Sequence, residues 1–127
     1  MCLRKISVKK RANKDIECYK IVRLGYYDGT FNSLFFPQQK WEIGVEYNAP
    51  RKSRNYPLNE INSGYFHSYA NKRAAMSFDN PFKNCVLVKC IIPKGSTYYS
   101  GKNLDLASCF ASKKLKVVEI IKTYRCV

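Results

Sequence analysis

Acidic residues and histidine are scarce in this chain. Its 127 residues include 9 Asp and Glu and one His against 23 Lys and Arg, so the formal net charge at pH 7 is +14. A charge excess of this size makes the compact state repel itself, which an anionic partner relieves. We therefore expect an anionic ligand, either a nucleotide or nucleic acid, and an acidic protein is the alternative partner.

Long apolar runs and closely spaced cysteine pairs are also missing. No run approaches the roughly 20 residues that span a bilayer, and no apolar block follows the basic start, so we expect neither a membrane span nor a signal peptide. The nearest pair among the six cysteines is Cys85 and Cys90, which lacks the C-x2-C spacing of zinc sites. We expect free thiols in a reducing cytoplasm, with no metal and no resident cofactor.

The composition is typical of one folded, strand-rich domain. Hydrophobic residues make up 46% and aromatic residues 14% of the chain, which favours strands over disorder. Residues 1–15 are charged and lack periodicity, so they are interpreted as a basic N-terminal arm, or an edge strand that orders only on contact, before a single domain at 16–127. The predicted fold class is α+β, with a mostly antiparallel, or split, sheet of about five strands and one or two short helices.

Individual segments differ in how strongly they indicate structure. Strands are predicted within residues 18–27, 35–50, 64–67, 85–93 and 114–124. Ser68 is predicted to cap a short helix that follows it. Residues 94–103 are interpreted as a turn-rich loop, and residues 104–114 as a helical turn or irregular structure.

His67 is the first candidate for chemistry because its ordinary pKa lies near neutrality. It follows Gly64, Tyr65 and Phe66 at a predicted junction between a strand and a helix. A general base usually needs an orienting acid, and no H-x-E, Cys-His or Ser-His-Asp spacing supplies one. A histidine packed into the core is the alternative interpretation.

A ligand site is predicted from basic and aromatic residues around this segment. The loop at 51–63 is long and polar, and loops of that kind are often functional. Cations can bind phosphate, while tyrosine rings can stack on bases. The predicted ligand-binding residues are Arg51, Lys52, Arg54, Tyr65, His67, Tyr69, Lys72 and Arg73.

Four motifs in order resemble a set of small proteins of bacteriophages and their hosts. They are "YKIVRL", "WEIGVEY", "GYFHSYANKRAAMSF" and "ASKKLKVVEII". The resemblance implies a compact fold and a phage or mobile-element origin. It suggests a counter-defence role in the host cytoplasm. Taken with the charge excess, we expect a protein that binds a phosphate-bearing ligand without transforming it.

The segment "SGYFHSYANKRAAMSF" is also similar to part of ADP-ribosyltransferases of the poly(ADP-ribose) polymerase type. There a Gly-x-Tyr-Phe strand and a helix of small residues back the nicotinamide pocket. The resemblance implies NAD as cofactor, with His67 and Asp105 as the catalytic candidates. It is the enzymatic alternative to a binding protein.

Overall fold

A computed structural model describes residues 5–6, 9–24, 31–33, 40–49, 65–76, 85–102 and 107–124. Within these residues, eleven strands form one antiparallel sheet and one short helix lies on it. The elements are β1 Lys5–Ile6, β2 Lys10–Arg11, β3 Ile16–Leu24, β4 Phe31–Ser33, β5 Lys40–Trp41, β6 Glu46–Asn48, β7 Phe66–Tyr69, α1 Lys72–Met76, β8 Cys85–Ile92, β9 Thr97–Lys102, β10 Ser108–Ser112 and β11 Lys114–Tyr124.

The main path through the sheet contains eight strands. Their order is β1-β9-β10-β7-β3-β8-β11-β6, while β2 also pairs with β9, and β4 pairs with both β3 and β5. The predicted α+β domain of about five strands with one or two helices was therefore wrong. Two segments expected to be a loop and a helical turn are the strands β9 and β10. Thr97, Tyr98 and Tyr99 favour a strand in β9, but the Ser and Gly residues around them suggest turns, and β10 consists mostly of small residues. Pairing with neighbouring strands overrides these local turn signals.

Two of the three longest strands, β8 and β11, lie where the sequence predicts strands. The structure has β8 at Cys85–Ile92 and β11 at Lys114–Tyr124. β8 lies between β3 and β11 in the sheet, and Leu87 and Val88 are both fully buried although they point to opposite faces. A strand that is buried on both faces needs this nearly continuous apolar sequence.

The two faces of the sheet carry separate cores. One, called here the Trp41 face, buries Ala12, Cys18, Val22, Trp41, Ala49, Phe66, Val86, Val88, Cys90, Ile92, Leu115 and Val117. The rings of Phe66 and Tyr47 meet Trp41 edge-on, with centroids 4.8 and 5.4 Å away. The other, the helix face, buries Ile21, Tyr65, Tyr69, Ala75, Cys85, Leu87, Cys109 and Ala111.

The helix α1 begins at a cap that the sequence prediction misplaced. The side-chain oxygen Oδ1 of Asn71 accepts a hydrogen bond from the backbone N–H of Ala74 at 2.7 Å, as N-caps do. Ser68, the predicted cap, lies inside β7 and is fully buried. The fully buried Ala75 lets the helix lie close against the sheet.

Candidate functional site

Three residues of the predicted ligand pocket lie together on the helix face. Tyr65 directly precedes β7, and His67 and Tyr69 follow at every second residue within it. The three residues are only 7, 4 and 6% exposed, respectively. The ring of Tyr65 meets that of Tyr99 edge-on at 5.5 Å. These side chains contribute to the core of the helix face, and little of their surface is open to a ligand.

The other predicted site residues are either exposed or outside the described part of the chain. Lys72 and Arg73 lie on the exposed side of α1. The three loop cations Arg51, Lys52 and Arg54 are outside the described residues, and so is Asp105. The pocket proposed from the sequence therefore stays a prediction.

Lys20 is a site residue that sequence analysis did not single out. It lies between Cys18 and Val22 on β3, and alternation places its side chain on the Trp41 face. Its Nζ donates a hydrogen bond of 2.6 Å to the backbone oxygen of His67. Desolvation by burial lowers the pKa of Lys20, and the nearby thiols Cys90 and Cys18 partly oppose that shift.

Two buried hydroxyl groups lie on the same face as Lys20. Ser68 is opposite Phe110 and Ser112 is opposite Phe66 in the ladder between β7 and β10. Within the described residues, neither hydroxyl oxygen has a hydrogen-bond partner. The Trp41 face therefore combines an apolar core with a small polar region, but the polar region is buried.

The surface feature with the clearest potential for binding is at one end of the sheet, where three segments meet. The backbone N–H of Ala12 donates to the oxygen of Ser96 at 2.9 Å, and the N–H of Gly95 donates to the oxygen of Ala12 at 2.7 Å. The N–H of Lys113 donates to the oxygen of Thr97 at 3.0 Å, and that of Lys114 to the hydroxyl of Ser96 at 3.2 Å. These bonds join the segments 9–15, 93–97 and 112–114.

The three joined segments are strongly cationic. Asp15 is their only acidic residue, and its carboxylate accepts the backbone N–H of Lys94 at 2.9 Å. All of their cations are exposed except Lys113, which is half-buried. We call the following seven cations the basic end: Lys9, Lys10, Arg11, Lys14, Lys94, Lys113 and Lys114.

The strand register sets the spacing of cations within the basic end. Arg11 pairs with Thr97 on β9, and Lys113 follows β10 on the other side of Thr97. With strands about 4.8 Å apart, the Cα atoms of Arg11 and Lys113 are about 10 Å apart. The Nζ of Lys113 lies 5.0 Å from the ring centroid of Tyr65, which holds this cation against an aromatic surface.

The sequence shows the cations of the basic end but not their convergence. Residues 9–14 and 113–114 are separated by about 100 residues of chain, and each group alone is compatible with an ordinary solvated surface. The turn at 93–96, which joins them, carries Gly95 with a φ of 89°. Only the pairing of β2 and β10 with β9 brings both groups to one place.

Among the described residues, no cluster of His, Cys, Asp or Glu could hold a metal ion. In the same part of the chain, no helix has the length and apolar character required to cross a membrane. Comparison of the sequence and structure with protein-family models, curated proteins and solved structures finds no match.

Proposed function

We propose that the protein binds nucleic acid through the basic end and does not transform it. The observation that carries the proposal is the convergence of seven cations from three segments, with Asp15 as the only acidic residue among them. The carboxylate of Asp15 bonds to the backbone of the turn. Phosphates spaced along a polymer suit such a distributed set of cations, because each contact releases counterions.

An extended polyanion fits this surface better than a single small nucleotide does. Arg11 and Lys113 are about 10 Å apart across the strands, and the remaining cations extend around the end of the sheet. The aromatic residues beside the predicted pocket are mostly buried, which favours contacts to phosphate over stacking on bases. The phage resemblance supports a cytoplasmic role in counter-defence, and this remains part of the proposal.

The proposal is tested by the salt dependence of binding to labelled single- and double-stranded oligonucleotides. The test variant replaces Arg11, Lys14 and Lys114 with Gln. The matched control replaces Lys72, Arg73 and Lys122 with Gln, so both variants lose the same charge. All six side chains are exposed in the structure.

The test variant should bind more weakly and should reduce the slope of log K against log salt by about one for each lost contact. The control should keep the wild-type slope. Equal weakening of both variants would show that binding follows net charge alone and would refute the basic end as the site. A loss confined to the control would instead support the site predicted around α1.

Further measurements separate the alternatives. A small-nucleotide site should give a shallow salt dependence and respond to mononucleotides. An ADP-ribosyltransferase should attach ADP-ribose when NAD is supplied, with loss of transfer in His67→Ala. If the partner is an acidic protein, the wild type should bind no oligonucleotide. The acidic protein should then co-purify with the wild type but not with the test variant.

A further inference from the structure

Two buried cysteines lie directly opposite each other in the centre of the sheet. Cys18 on β3 and Cys90 on β8 are partners in the antiparallel register. Both are fully buried and both are free thiols. Directly opposite residues in such a ladder have Cα atoms about 4.5 or 5.5 Å apart, and both values fall in the roughly 4.4–6.8 Å range of disulfides.

The side chains of this pair lie on the same face of the sheet. Burial raises the pKa of Cys90, and its interaction with Cys18 raises that pKa further. The neighbouring Lys20 lies two residues from Cys18 on the same face, and its positive charge acts in the opposite direction. Bringing the sulfur atoms to bonding distance therefore requires side-chain rotation and no change of strand register.

We propose that Cys18 and Cys90 form a thiol–disulfide site that a peroxide oxidises to a cross-strand disulfide. One thiol loses its proton and its sulfur attacks hydrogen peroxide, which gives a sulfenic acid and one molecule of water. The second sulfur then attacks the sulfenic sulfur, so that the S–S bond forms, the S–O bond breaks and a second water leaves. Two thiols and one hydrogen peroxide thus yield one disulfide and two waters.

The other described cysteines lack this arrangement. Cys85 is opposite Arg23 on β3, and Cys109 is opposite Tyr69 on β7. They share the helix face but are not register partners. They are therefore internal controls for the selectivity of oxidation.

The test uses the full chain with Cys2→Ser and Cys126→Ser, since both of these residues lie outside the described part. The folded, reduced protein is treated with hydrogen peroxide, and the remaining thiols are alkylated after unfolding. Peptide mapping should find Cys18 linked to Cys90, with Cys85 and Cys109 alkylated. Oxidation should lower the mass of the protein by two hydrogen atoms, and dithiothreitol should restore that mass. The oxidised protein should melt at a higher temperature than the reduced one.

Two controls make the result decisive. The Cys90→Ala variant in the same background should form no intramolecular disulfide. Oxidation of the unfolded chain should give mixed pairings, because the selectivity comes from the strand register. Alkylation of both Cys18 and Cys90 after peroxide treatment, their conversion to sulfinic acids, or a link to Cys85 or Cys109 would overturn the proposal.

Discussion

The partly buried amine of Lys20 makes stability depend on pH in a direction that the structure specifies. Burial lowers its pKa below the ordinary 10.5 in the folded protein. Between the lowered pKa and 10.5, the unfolded chain holds a proton that the folded protein does not. By linkage, the free energy of unfolding rises with pH across this window, by at most about 1.36 kcal/mol per pH unit for one proton.

The perturbation is Lys20→Met, which keeps an unbranched side chain and removes the amine. The variant loses the hydrogen bond to the His67 oxygen, and hydrogen bonds to charged groups contribute about 1.5–3 kcal/mol. At neutral pH, losing this hydrogen bond destabilises the variant, whereas removing the amine, whose desolvation is costly, stabilises it. The diagnostic quantity is therefore the slope: stability of the variant relative to wild type should decrease as pH rises through the window.

The assay is urea unfolding followed by tryptophan emission, because Trp41 is the only tryptophan in the chain and is fully buried. Both proteins carry Cys90→Ala, which removes the thiol whose titration is linked to Lys20. Exposed Lys72→Met in the same background is the control and should keep the slope of its parent. If the free energy of unfolding changes with pH in the same way for the Lys20→Met variant and its parent from about pH 7 to about pH 10.5, the assignment of a lowered pKa to Lys20 is refuted.

Two further predictions concern the sheet and its turn. Leu87→Ala should lower the free energy of unfolding by about 2.7–5.0 kcal/mol, because Leu87 is fully buried. The control Ile120→Ala, at a residue 43% exposed, should lower it less. Equal losses in urea unfolding would contradict the assignment of Leu87 to the core. Gly95→Ala should lower the free energy of unfolding by roughly 1–2 kcal/mol, because Gly95 has a φ of 89°, a left-handed conformation that other residues adopt at a cost. A Cβ at this position meets nothing within 4 Å, so the cost comes from the backbone and not from a clash. A neutral result in thermal unfolding would show that the turn is not left-handed.

Some parts of the fold and site could be predicted because their signals are local. The apolar run at 85–93 predicted β8, and the last strand was predicted at 114–124, where β11 lies. By contrast, the Ser and Gly residues of β9 and the small residues of β10 suggested turns, and the strand conformation of both segments depends on the neighbours with which they pair. The cap at Asn71 was missed because β7 continues to Tyr69, past the predicted start of the helix.

The site divides in the same way between local and tertiary information. Charge excess by itself determined that an anionic partner is expected, since net charge depends only on composition. Only the tertiary structure decided that residues 9–14 meet Lys94, Lys113 and Lys114, because backbone hydrogen bonds of β9 and its preceding turn join segments about a hundred residues apart. The opposition of Cys18 and Cys90 and the burial of Lys20 likewise depend on strand register, which no local pattern in either strand specifies.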